Sequence, residues 1–131
     1  MKKLALALIV LATPAHAAEY RAEVISNYDG DSATILIDGR RDKLRLINVD
    51  TPEIKGACEA ERYMAIRARD FTREWTRNKT IILETTKRER DKYKRLLAFV
   101  RNEHGEDLGE KLIEAGLAVK WEGRRHRGWC G

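Results

Sequence analysis

Apolar and polar residues alternate from Tyr20 to Ser26, a period of two that predicts a strand with one buried face. Two further runs, Ser32 to Asp38 and Lys43 to Val49, flank Asp38-Gly39-Arg40 and predict a hairpin. From Ala57 to Asn78 the period lengthens to three and four. Ala60, Met64, Ala68, Phe71 and Trp75 predict a helix whose core stripe they form, and Glu61, Arg62, Arg69, Arg73 and Arg77 fall on its other face. Thr80 to Thr86 and Arg95 to Arg101 predict a fourth and a fifth strand, with Lys87 to Lys94 a charged connection between them. Asp107 offers an N-cap with Glu110 three residues on, and Gly116 a stop. They bracket a short helix through Leu108, Leu112 and Ile113.

Five short strands and two helices predict a mainly β, α+β fold, a small Greek-key barrel of the oligonucleotide-binding type (OB-fold). Periodicity does not supply the strand order. On this reading Asp31 begins the second strand, Arg45 lies within the third and Asp50 stands just past its end. All three then converge at one end of a curled sheet.

The first residues change the picture of where the chain works. Lys2 and Lys3 form a basic start, Leu4 to Ala12 an apolar run too short to cross a bilayer, and Ala15-His16-Ala17 a small-x-small cleavage motif. Residues 1–17 are thus expected to be a signal peptide and residues 18–131 a single exported domain, periplasmic or secreted. Losing the leader lowers the formal net charge of +5 by two, because it holds two lysines and no acid. A mildly basic chain suits a polyanionic partner, although charge alone does not choose one.

The chemistry concentrates in a few residues. Asp50-Thr51-Pro52-Glu53 follows Arg45 by five positions, and Asp29-Gly30-Asp31 lies upstream. Proline biases Thr51 to extended backbone, so the acids sit at a strand end or turn. Carboxylate oxygens suit a hard cation, a spare acid beside it can deprotonate water, and arginine presents a planar fork to phosphate. Either fragment alone is an ordinary solvated turn. Asp29-Gly30-Asp31-Ser32, then Arg45 to Glu53, then Asp91-Lys92-Tyr93-Lys94-Arg95, taken in that order, resemble the staphylococcal nuclease (thermonuclease) family. The resemblance runs from about Ala22 to Val119.

That resemblance implies roles residue by residue. Asp31, Asp50 and the carbonyl of Thr51 match the metal ligands, a set that suits calcium. Glu53 matches the acid that orients or deprotonates the attacking water, and Arg45 and Arg95 match the arginines on the scissile phosphate. Asp29 matches an acid behind the metal ligands, or serves only as a turn former. Lys92 and Tyr93 match contacts to a terminal phosphate of the substrate, or belong to a solvated loop. The implied reaction is hydrolysis of DNA and RNA by a monomer, without preference for the sugar, leaving 3′-phosphate ends. The chain departs from the pattern in three places. Ser32 stands where a threonine is usual, Glu122 and Trp121 where a substrate tyrosine is expected, and Gly123 to Gly131 where a third helix would follow.

Cys58 and Cys130 are the two cysteines of the chain. Export into an oxidising compartment predicts a disulfide between them, against the alternative of two free thiols with Cys130 on a frayed terminus. His104 and His126 have no metal-ligand spacing with the cysteines, so zinc is not expected. Arg124, Arg125 and Arg127 with Trp129 read either as a nucleic-acid contact or as a packed tail. The competing functional reading is a non-catalytic OB-fold nucleic-acid-binding protein. Retention of Asp31, Asp50 and Glu53 argues against it, because acids repel phosphate unless a cation stands between.

Overall fold

The computed structural model describes residues 3–9 and 18–131. Lys2 and Val10 to Ala17, which carry most of the expected export signal, lie outside the described residues.

Five strands close into a barrel: β1 (Glu19–Ser26), β2 (Ser32–Ile37), β3 (Arg40–Leu46), β5 (Thr80–Arg90) and β6 (Leu96–Arg101). Their order around the barrel is β1-β2-β3-β6-β5, with β5 returning to β1. β3 and β6 run parallel and the other neighbours antiparallel. A separate antiparallel pair is formed by β4 (Val49–Asp50) and β7 (Val119–Lys120). The helices are α1 (Glu59–Thr76) and α2 (Leu108–Glu114). This is the expected barrel with two helices.

Alternation fills the barrel as a period of two requires: Ala33 and Ile35, Leu44 and Leu46, Ile81 and Leu83, and Leu96, Ala98 and Val100 all point inward and are buried. Val49, Leu108 and Leu112 complete the core. The β2–β3 hairpin turns at Asp38 (φ 50°) and Gly39 (φ 77°). Positive φ at both central positions is what a two-residue turn matched to strand twist demands. Asp107 caps α2 by accepting the Glu110 N–H at 2.9 Å, as the capping-box reading expected.

Three expectations need correction. The first concerns α1, whose buried face is Glu61, Ala65, Ala68, Thr72 and Thr76; it shares Ala68 with the predicted stripe and is otherwise one position further along, with Ala60 exposed and Phe71 and Trp75 only partly covered. The reason is what the helix covers. It lies on the Asp29–Ser32 turn, whose polar backbone has to be satisfied: Thr72 Oγ1 donates to the Gly30 carbonyl at 2.7 Å. The approach is so close that a Cβ on Gly30 would meet the Ala68 Cβ at 2.9 Å. Small and hydroxyl side chains fit there; large apolar ones do not.

The second correction is that β3 ends at Leu46 rather than Val49, and Asp50 lies within the two-residue β4, paired with Val119. Arg45 braces the break, its Nη1 donating to the carbonyls of Leu46 at 2.6 Å and Val49 at 3.0 Å. The third is that β5 continues through Lys87 to Arg90, so the connection to β6 shrinks to the turn after Arg90. Charge did not signal a loop because this end of β5 is exposed on both faces. Arg90 grips Asp42 of β3 with two bonds of 2.7 and 2.8 Å.

Candidate active site

Asp29 builds the first wall of the site. Its Oδ1 accepts the Asp31 N–H at 3.1 Å and the Ser32 hydroxyl at 2.7 Å, closing the turn that enters β2. Ser32 pairs with Arg45 across β2 and β3, which sets Arg45 beside Asp31. The Arg45 guanidinium lies 3.2 Å from Asp31 Oδ2, and the same oxygen accepts the Thr51 N–H at 3.0 Å. Thus the turn before β2 and the segment after β4 are tied through one carboxylate. Burial pushes the Asp31 carboxyl up to about 8; Arg45 pulls it down, and Asp29 adds to the rise.

Asp50 is also buried, and its Oδ2 accepts the backbone N–H of His126 at 2.6 Å. Thr51 is buried, with an Oγ1 that has no hydrogen-bond partner among the described residues. Thr51 does not line the cleft. Glu53 stands half-buried at the cleft with its carboxyl raised. Burial is the main cause, opposed by Arg125 and reinforced by Asp29 and Asp50.

On the opposite wall Asp91 organises the turn into β6. Its Oδ1 accepts the N–H groups of Tyr93 and Arg95, each at 2.9 Å, while its Oδ2 accepts Arg95 Nε at 2.7 Å. Burial alone would raise the Asp91 carboxyl, but the bonds from Arg95 hold it below the usual range. Tyr93 is exposed at the rim, with Lys92 Nζ at 5.1 Å and the Arg95 guanidinium at 5.5 Å from its ring.

These walls enclose one cleft of about 690 Å³, lined by Asp29, Asp31, Arg45, Asp50, Glu53, Lys92, Tyr93 and Arg95 together with Tyr28, Trp121 and Arg125. Every side chain picked from the sequence as catalytic, substrate-binding or behind the metal is there, along with both aspartates. Cys58 and Cys130 form the expected disulfide, their Cα atoms 5.9 Å apart.

Among the described residues, no three His, Cys, Asp or Glu side chains gather into a group able to hold a metal by themselves. The donor set fits a cation that fills its shell with water and carbonyls. Asp31 and Asp50 are both buried at the cleft, and each uses Oδ2 in the bonds above. Hard oxygens on a buried pair of acids suit a hard cation.

Three residues make contacts at the site that the sequence analysis did not assign to them. Glu61, placed there on the outer face of the helix, is buried and accepts the N–H groups of Glu53 at 2.9 Å and Ala57 at 3.2 Å. Its position three after Cys58, which caps α1, is a capping-box spacing, and that was the available signal. Asp91 carried the signal of an acid four residues before an arginine at a turn. Arg125 was read as a nucleic-acid contact or part of a packed tail, and nothing in the sequence pointed it at Glu53. Its Nη2 lies 3.6 Å from Glu53 Oε1, a contact between residues far apart in the chain.

The profile of the family described as staphylococcal nuclease homologue matches residues 43–128, from β3 into the tail. The chain belongs to the staphylococcal nuclease family. It is 39% identical over 105 residues to the thermonuclease of Staphylococcus hyicus, covering 79% of this chain and 60% of that protein. To the thermonuclease of Staphylococcus intermedius it is 36% identical over 91 residues, 69% of this chain and 50% of that one. Endonuclease YncB of Bacillus subtilis is 35% identical over 91 residues, 69% of this chain and 43% of that protein. The chain thus spans about half the length of the curated relatives it matches. Arg45, Asp50, Glu53 and Arg95 fall within the family match, and Asp31 just before it.

Proposed function

We propose that this member of the staphylococcal nuclease family is an exported, calcium-dependent nuclease. It hydrolyses phosphodiester bonds of DNA and RNA without preference for the sugar and leaves 3′-phosphate ends, acting as a monomer. One observation carries this reading: two buried aspartates, a raised glutamate and two guanidiniums line the same cleft. A binding protein has use for Arg45 and Arg95 but none for Asp31, Asp50 and Glu53.

Each residue has a task that its surroundings support. Arg95, pinned by Asp91, presents its remaining N–H groups to a phosphate, and Arg45 approaches from the β3 side. Glu53, with its affinity for a proton raised by burial, takes one from a water as that water's oxygen bonds to phosphorus and the bond to the 5′-oxygen breaks, the leaving oxygen taking a proton from solvent to become the 5′-hydroxyl. The guanidiniums meet the charge that gathers on the phosphoryl oxygens. Asp31, Asp50 and the Thr51 carbonyl would hold calcium, which supplies positive charge at the phosphate when bound. Lys92 and Tyr93 at the rim reach a neighbouring phosphate. Contacts to phosphate rather than base edges give little sequence preference.

The test is direct. Purified mature protein is given plasmid DNA and RNA in calcium and in excess chelator. Cutting of both in calcium and of neither in chelator is expected. Binding of either polymer without cleavage in calcium would establish the non-catalytic alternative.

A further inference from the structure

The disulfide Cys58–Cys130 joins residues 72 apart and fastens the final 3-10 turn, Gly128–Cys130, to the start of α1, next to the loop that carries Glu53. Between β7 and that anchor the chain from Trp121 to Arg127 has no helix or strand. Two of its residues nevertheless reach the acids at and beside the cleft. The His126 N–H donates to Asp50 Oδ2 at 2.6 Å, and Arg125 Nη2 lies 3.6 Å from Glu53 Oε1 and 3.7 Å from Glu61 Oε2. Among the described residues, Arg125 is the one cation within ion-pair distance of Glu53.

We propose that the disulfide-anchored tail is a working part of the catalytic site, with Arg125 a positioning residue that holds the Glu53 carboxylate for its task. The proposal rests on the nuclease reading. Glu61 fixes the backbone of Glu53 but leaves its side chain free to rotate. Arg125 bridges that side chain to Glu61 and so sets its direction over the cleft. The contact is made by one nitrogen at ion-pair distance, so it depends on charge more than on the planar fork. A segment without regular structure holds such a contact only if something else offsets its chain entropy. The bridge between Cys58 and Cys130 does so. Activity is therefore tied to the oxidised state, although neither sulfur touches substrate.

The experiment measures kcat and KM on single-stranded DNA in calcium for oxidised wild type, Arg125→Ala, Arg125→Lys, the double variant Cys58→Ser/Cys130→Ser, and the triple variant that adds Arg125→Ala. Serine at position 58 keeps an oxygen to accept the Glu61 N–H. All are assayed at a temperature where circular dichroism shows native structure. Arg125→Ala should lower kcat about tenfold with KM little changed, and Arg125→Lys should recover most of the loss. The disulfide-free variant should lose about the same factor, and Arg125→Ala should add less than about twofold to it, since the two changes remove one interaction. Wild-type kcat in Arg125→Ala, an effect on KM alone, or a full tenfold cost in both backgrounds would overturn the inference while leaving the nuclease reading intact. An oxidised wild type that cuts neither DNA nor RNA would overturn both.

Discussion

Glu61 accepts the backbone N–H of Glu53 at 2.9 Å, so the first turn of the long helix sets the height of the candidate base over the cleft. The same carboxylate takes the Ala57 N–H at 3.2 Å and folds the loop between them. Removing it leaves two donors without their partner. Glu61→Ala should destabilise the protein by about 1–3 kcal/mol, the usual cost of unsatisfied donors of this kind. Urea unfolding measures it, and a change below about 0.5 kcal/mol would show that water replaces the carboxylate freely.

Glu53→Gln keeps the size of the side chain but cannot take a proton. Turnover should fall by about 100-fold or more, the scale of losing a positioned base. Single-turnover cleavage of an oligonucleotide is the readout. Retained activity would move the water-activating role to another group.

Arg45 and Arg95 differ in how they are held, and their variants should differ accordingly. Both alanine variants should cut at least 100-fold more slowly, the upper range for losing a charge-stabilising donor. Arg45→Ala should also cost stability, because Nη1 braces Leu46, Val49 and Asp31. Arg95→Ala should cost less, since Asp91 loses one partner but still caps its turn through Oδ1. Lysine should restore little at either position, lacking the fork. Equal destabilisation by the two alanine variants would contradict the bracing role of Arg45.

The pH dependence of the metal-free protein follows from Asp31. Its carboxyl is at about 8 in the fold against an ordinary 3.8, chiefly through burial, so the folded state binds a proton that the unfolded state has lost. Stability is then greatest near pH 4 and declines as pH rises through that window to about 8. Glu53, also raised, acts in the same direction. Asp91 is lowered, so its contribution is complete above pH 4 and does not change across the window. In chelator the urea midpoint should therefore drop between pH 5 and pH 8, and Asp31→Asn should flatten the trend. A midpoint that rises across that range would reverse the assignment.

Calcium should act in the opposite sense. A cation on Asp31 and Asp50 favours their charged forms, so it should stabilise the fold at pH 8 more than at pH 5 and restore cutting lost to chelator. Magnesium should replace it poorly, since it demands a tighter octahedral shell than two aspartates and a carbonyl provide. Thermal unfolding with each ion separates the cases. Equal stabilisation by magnesium would argue for a smaller, more regular site.

Much of this protein was legible along the chain because the deciding interactions are local. Alternation in β1, β2 and β6 depends on which face of a strand meets the core, the Asp38-Gly39 turn on backbone conformations within two residues, and the Asp107 cap on a donor three positions away. The acids and arginines of the cleft were legible because the Asp29–Ser32, Asp50–Glu53 and Asp91–Arg95 turns are each short, chemically distinct runs. Tertiary structure decided the rest. The buried face of α1 shifted by one position because that helix covers a polar turn, a fact about what it packs against rather than about its own period. Glu61 turned from a surface acid into a buried acceptor for the same reason. Asp50 joined β7 and not the end of β3, and Arg125 reached Glu53 through a tail held by Cys58 and Cys130. Such contacts join residues up to 76 apart, and whether they form depends on how the barrel closes, which no local pattern encodes.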